Sequence, residues 1–222
     1  MVDVATKDCT ALSDAEIADM ADLCTQGRPS YEVGFLSKHR EQWVLVTHAR
    51  EGDRLQGFAY STLERIGGTP SLLVGVAAFL QEPAAEAVLR AVMADLYRRA
   101  VLAFPDEDVL VGSRVEHPAA LVAYAGLSDV VPRPGHKPTG EERAWGRRLA
   151  KRFGVDASLD DRTFHLTGDG GPCGLLDFLP SSAAEAGGHA ELFTSVDPER
   201  GDSLVVFGWA MAEDLAAGTL PA

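Results

Sequence analysis

The sequence predicts an α/β fold with a C-terminal α+β extension, and three features of its 222 residues carry that expectation. Residues 72–80 form a run that is apolar on both faces, the pattern of a strand buried in a central position. A long amphipathic stretch follows it, with Val88, Val92 and Leu96 in an i, i+4, i+8 stripe widened by Leu89 and Met93. A second apolar run at 109–115 then completes a strand–helix–strand unit.

Upstream of that unit, Ser13 and Glu16 have the spacing of a capping box, and Leu12 and Ile17 that of a hydrophobic staple. They predict a helix whose buried face carries Ile17, Met20, Ala21 and Cys24 and which stops at Gly27. A shorter helix is expected over 31–40. Residues 43–47 and 55–63 read as strands of a hairpin turning at Glu51-Gly52-Asp53. Gly67-Gly68-Thr69-Pro70 turns the chain into the central run, and Pro83 marks an early position of the long helix.

Downstream, Thr139 and Glu142 make a second capping box, opening a helix with Trp145, Leu149 and Phe153 on its buried side and ending at Gly154. Residues 163–167 and 204–209 read as strands, with the loop Gly168-Asp-Gly-Gly-Pro-Cys-Gly174 between them. The expected organisation is a core over 1–131 and an extension over 132–222 packed on it, available for a second sheet layer or a dimer contact. Phe164, Leu166, Leu175, Leu176, Phe178 and the 204–209 run are too apolar for a disordered tail.

Composition narrows the functional classes. A formal charge of −13 disfavours nucleic acid, whose phosphates need a basic face. The acidity is concentrated in 156–222, where twelve acidic residues face only Arg162 and Arg200, while seven bases stand just before it in 132–152. Those two segments are expected either to attract each other, within a monomer or across a homodimer, or to be solvated faces. Cys9, Cys24 and Cys173 are too scattered for a disulfide framework or a zinc cluster, which points to a reducing, cytoplasmic setting. Neither a basic, apolar leader nor a run of the roughly 20 apolar residues a membrane helix needs is present, so no membrane partner is expected. The six histidines are well separated, and no metal is expected.

The order helix, helix, three strands, helix, strand, helix-like run through about residue 131 resembles the GNAT superfamily of acyl-CoA N-acyltransferases. The resemblance implies a mixed central sheet flanked by helices, with acyl-CoA as co-substrate, a small amine as acceptor and no further cofactor required. In that family the fourth strand splays from the fifth, and its free backbone groups pair with the pantetheine arm. Here the implied groups are the amides of Val76, Ala77, Ala78 and Phe79, with Gln81 at the start of the turn. The family's pyrophosphate loop, Arg/Gln-x-x-Gly-x-Gly/Ala, has only Gln81 in common with Gln81-Glu-Pro-Ala-Ala-Glu-Ala87. Pro83 removes a donor, and Glu82 and Glu86 would repel phosphate.

His117-Pro-Ala-Ala-Leu-Val-Ala-Tyr124 is similar to the family's Asn-x-x-Ala-x-x-Leu-Tyr segment, which implies Tyr124 as the acid that protonates the departing thiolate. A core tyrosine is the competing reading. Glu116 and His117, at a strand end, are the candidate bases, with His117 as a helix cap the alternative. Cys173 lies near His165 in sequence, but Asp169 and Asp177 around it disfavour a thiolate, and a glycine-rich turn is the simpler reading. Two functions follow: an acyltransferase acting on a small amine, or a non-catalytic GNAT-fold module that binds a small molecule or a partner. The degraded loop favours the second, while the activity usual in the family favours the first, which is the leading expectation.

Overall fold

A computed structural model of the chain describes residues 2–25, 27, 31–179 and 187–220. Strand β1 (Asp3–Asp8) leads into helices α1 (Asp14–Cys24) and α2 (Val33–Arg40), then β2 (Leu45–Glu51), β3 (Arg54–Ile66) and β4 (Thr69–Phe79). Helix α3 (Ala85–Ala103) crosses to β5 (Val109–Val115), followed by a 3-10 segment (Pro118–Tyr124), β6 (Ser128–Val131) and α4 (Gly140–Arg152). The short β7 (Leu159–Asp160) and β8 (His165–Leu166) precede β9 (Ser203–Ala210) and α5 (Ala212–Ala217).

The strands form one sheet in the order β1-β2-β3-β4-β5-β9-β8-β7, with β6 also on β9. Every pairing is antiparallel except β4 with β5, the pair joined by the α3 crossover. This is the expected mixed α/β architecture, a central sheet flanked by helices. The run at 204–209 becomes β9 in that same sheet, paired with β5 from Val109↔Ala210 to Val115↔Leu204, not a strand of a second layer.

Both capping boxes form: Ser13 accepts from the Glu16 amide and Thr139 from the Glu142 amide, with each glutamate bonded back to its cap. The α3 stripe is buried from Val88 through Leu96. Several boundaries differ from expectation: α1 ends at Cys24, and the strands expected at 43–47 and 55–63 run over 45–51 and 54–66. Helix α3 begins two residues after Pro83, α2 begins at Val33, and the 163–167 strand contracts to His165–Leu166. Strand β1 was not expected at all, because Asp-Val-Ala-Thr-Lys-Asp is polar. It is held as an edge strand by six pairs with β2 and by Thr6, whose hydroxyl donates to the buried Asp95 of α3 at 2.6 Å.

The helices divide between the two sheet faces. Leu72, Val74, Ala77 and Phe79 of β4 pack with α3, while Leu73, Val76 and Ala78 pack with residues of α1, α2 and α4. Strict alternation would keep 72, 74, 76 and 78 on one face, so the phase slips by one residue between Val74 and Val76. The pairing agrees: Ser61 faces Val74 and Tyr60 faces Val76, leaving Gly75 as the extra residue of a β-bulge. Only glycine fits there, since a Cβ would lie 1.8 Å from the Trp43 indole.

Candidate functional site

The bulge at Gly75 decides where β4 and β5 part. Direct pairing runs from Ser71↔Leu110 to Val74↔Ser113 and stops. Beyond it, the splay is filled by the chain's own residues 175–177. The Ala77 amide donates to the Leu175 carbonyl at 2.8 Å, and the Asp177 amide donates to the Ala77 carbonyl at 2.9 Å. On the opposite wall the Leu176 amide donates to the Arg114 carbonyl at 2.8 Å. A single parallel bridge, Ala77↔Leu176, makes the segment an inserted strand of minimal length.

Side chains anchor this insertion. Leu175, Leu176 and Phe178 are buried, and the Phe178 ring meets Phe79 edge-on at 6.1 Å. The Tyr31 hydroxyl donates to the Cys173 carbonyl and accepts from the Leu175 amide, both at 3.0 Å. Gly174 passes so close to β4 and α2 that a Cβ would sit 3.0 Å from both Val76 and His39. Burying two leucines and a phenylalanine is worth several kcal/mol at about 25 cal/mol per Å² of apolar surface.

The residues singled out in the sequence take up the following positions. Val76, Ala77, Ala78 and Phe79 form the β4 wall of the splay, and the Ala77 N–H and C=O, which point into it, are both bonded to the inserted segment. Gln81 is exposed beyond the end of β4. At the adjoining turn Glu82 pairs with Arg54 at 2.6 Å, and Ala84 caps α3 with no side-chain bond.

Tyr124 is buried, its hydroxyl donating to the Val206 carbonyl at 3.1 Å, which leaves the Ser113 hydroxyl to donate to it at 2.6 Å. Burial pushes the phenol pKa up, against the hydrogen bond from Ser113. Glu116 is buried at the end of β5. The His117 Nδ1 accepts from the Ala119 amide at 3.1 Å and caps the 3-10 segment. Burial lowers the His117 pKa, while the Asp177 carboxylate acts in the opposite direction. Glu116 and His117 thus stand near the inserted segment, whereas Tyr124 is engaged between β5 and β9.

Sequence reasoning missed a cavity on the α2 side of the sheet. It has a volume of about 810 Å³ and is lined by Phe35, His39, Arg114, Val155, Pro172 and Cys173 among others. Arg114 is buried at its base, where Nε and Nη2 donate to the Ser203 hydroxyl at 3.3 and 3.1 Å. Burial lowers its pKa, with Cys173 and Tyr31 beside it acting the other way. The His39 ring packs tilted against Phe35, centroids 4.3 Å apart, and burial drives its pKa down to about 4, with Lys38 and Arg114 adding to the effect.

The fully buried Asp202 shapes the rim by taking bonds from Arg200, from the Gly168 amide at 2.8 Å and from His165 at 3.2 Å. The signal available in the sequence was Arg114 itself, a lone charge in the otherwise uncharged strand Val-Leu-Val-Gly-Ser-Arg-Val. Among the described residues no group of three or more His, Cys, Asp or Glu could hold a metal, and no helix is long and apolar enough to cross a membrane.

No family model matches the chain, and no curated protein does. Solved structures with partial likeness include an aminoglycoside 6'-N-acetyltransferase from Enterococcus faecium, at 11% identity and TM-score 0.40, covering 51% of this chain and 64% of that one. An aminoglycoside 6'-acetyltransferase type Ii is 10% identical over 60% of this chain and 88% of that one, at TM-score 0.43. Escherichia coli ElaA is 12% identical over 61% and 95%, at TM-score 0.38. The chain therefore spans less than two thirds of the Enterococcus faecium enzyme. Likeness at this level bears on neither activity nor substrate.

Proposed function

We propose that the chain is a non-catalytic small-molecule-binding module on a GNAT-like fold. One observation carries this reading: the Ala77 backbone groups that the resemblance assigns to pantetheine are already bonded to Leu175 and Asp177. An acyl-CoA arm would need the same donor and acceptor, and would have to displace the buried Leu175 and Leu176 to reach them. The turn that follows adds a Glu82–Arg54 ion pair where the family has a phosphate cradle.

The element order supports the other reading, acyl transfer from CoA to a small amine. In it Tyr124 serves as acid, Glu116 or His117 as base, and Val76 to Phe79 with Gln81 hold the co-substrate once residues 174–178 have left the splay. Calorimetry with CoA and acetyl-CoA separates the two. The module reading expects no heat of binding at about 1 mM ligand, whereas affinity in the low micromolar range, about 8 kcal/mol of binding free energy, would establish the splay as a CoA site.

A further inference from the structure

Arg114 is only 8% exposed, yet among the described residues no carboxylate comes within ion-pair distance of it. Its hydrogen-bond partners are the Ser203 hydroxyl, used by two of its nitrogens, and the Cys173 side chain. A guanidinium taken out of water is normally matched by a carboxylate, because a hydroxyl and a sulfur do not replace its hydration. His39, on the same cavity wall, has its Nδ1 buried with no hydrogen-bond partner. A buried cation with no carboxylate in ion-pair range and a histidine with an unpartnered ring nitrogen therefore line one cavity.

We propose that this cavity binds a small organic carboxylate, held by its carboxylate group on Arg114 and bonded to His39. The planar fork of arginine donors matches the two oxygens of a carboxylate. Phe35, Val155 and Pro172 give the remainder of the ligand an apolar wall. Lys38, exposed, is the second cation among the residues lining the cavity, and the Asp169 carboxylate there acts on Arg114 from beyond ion-pair distance. That balance suits a single negative charge better than a phosphate dianion, as does the overall charge of −13. The inference rests on the small-molecule-module reading and supplies its ligand class.

The test is an NMR titration of the full chain, uniformly 15N-labelled, with benzoate, benzamide and inorganic phosphate at constant ionic strength. Benzoate, a fragment-sized probe, is expected to give saturable shifts at amides of residues 38–42 and 168–174 below about 20 mM. Benzamide, isosteric but uncharged, should give none, and phosphate should bind about tenfold more weakly. Arg114→Lys should weaken benzoate by about tenfold and Arg114→Met should abolish the shifts, with the rest of the spectrum unchanged. Where Arg114→Met does not fold, the benzoate–benzamide contrast and His39→Phe, expected to weaken benzoate severalfold, decide. Absence of saturable benzoate shifts, equal shifts with benzamide, tighter binding of phosphate, or an unaffected Arg114→Met protein would each overturn the proposal. A failure here leaves the CoA titration standing, and CoA binding would sink the module reading while leaving the benzoate result readable.

Discussion

The two halves of the β4–β5 junction are made by the same pair of strands and solved differently. Over Ser71–Val74 the strands bond directly to each other, side chains alternating cleanly between the two cores. Past Gly75 the alternation has slipped, the strands stand apart, and a third strand from residues 175–177 occupies the gap. One extra residue thus converts a closed ladder into a slot, and the slot's occupant is decided elsewhere in the chain. An open slot is what a ligand needs. A filled slot is a core.

Cutting the chain after Gly154 would test this contrast most severely, because it removes both the slot's occupant and β9. Buried Leu204, Val205, Val206 and Phe207 go with β9, exposing the edge of β5. We expect a 1–154 fragment to be insoluble or unfolded by circular dichroism. A soluble fragment with a cooperative melt would show that the directly paired half suffices.

Restoring a side chain at the bulge comes next. Gly75→Val would drive a branched side chain into the Trp43 indole, 1.8 Å from where a Cβ would lie, and is expected to cost about 3 kcal/mol by urea denaturation. The same substitution at exposed Gly34, where a Cβ meets nothing within 4 Å, serves as the control and should cost under about 1 kcal/mol.

Leu176→Ala sharpens the comparison by weakening the occupant alone. Truncating this 1%-exposed side chain is expected to cost ~2–3 kcal/mol and to speed hydrogen exchange at Ala77 more than at Leu73 in the directly paired half. Equal exchange at both amides would mean that the slot and the ladder open as one unit.

The smallest effect expected is on pH. His39 packs against Gly174, and its pKa in the folded chain is lowered to about 4, first by burial and then by Lys38 and Arg114. The unfolded chain, with an ordinary value near 6.5, takes up the proton first. Stability should therefore fall as pH drops from about 6.5 to 4 and level off below, by ~1 kcal/mol after allowing for partial exposure. Burial lowers His48 to about 4 as well, so His39→Phe should reduce the slope over that part of the profile in thermal melts and leave the His48 share.

How much of this was legible follows from the range of each interaction. The capping residues Ser13 and Thr139, the α3 stripe and the hairpin around Gly52 are local patterns, and each appears close to where the sequence puts it. Strand β1 was invisible because its stability comes from backbone pairing and from Thr6 reaching Asp95, eighty-nine residues away, not from its own composition. The inserted segment left only Gly174 followed by Leu175 and Leu176. Their partners, Ala77 and Arg114, are remote, and nothing local says that an apolar pair will close a slot. Arg114 had a local signal, a charge inside an uncharged strand, but its meaning depends on a cavity assembled from α2, β5 and the 168–174 loop.

The distance along the chain between Ala77 and Leu176 also sets an order of events during synthesis. A ribosome that has just delivered β4 and β5 must make some sixty more residues before the occupant of their gap exists, and nearly ninety more before β9 does. Through that interval a growing chain carries two unsatisfied strand edges, one inside the splay and one along the far side of β5. Closing both requires contacts of high sequence separation, which are slow to form. The nascent protein is therefore most vulnerable to misassociation between the synthesis of β5 and that of β9, and it becomes self-sealing only as β9 emerges.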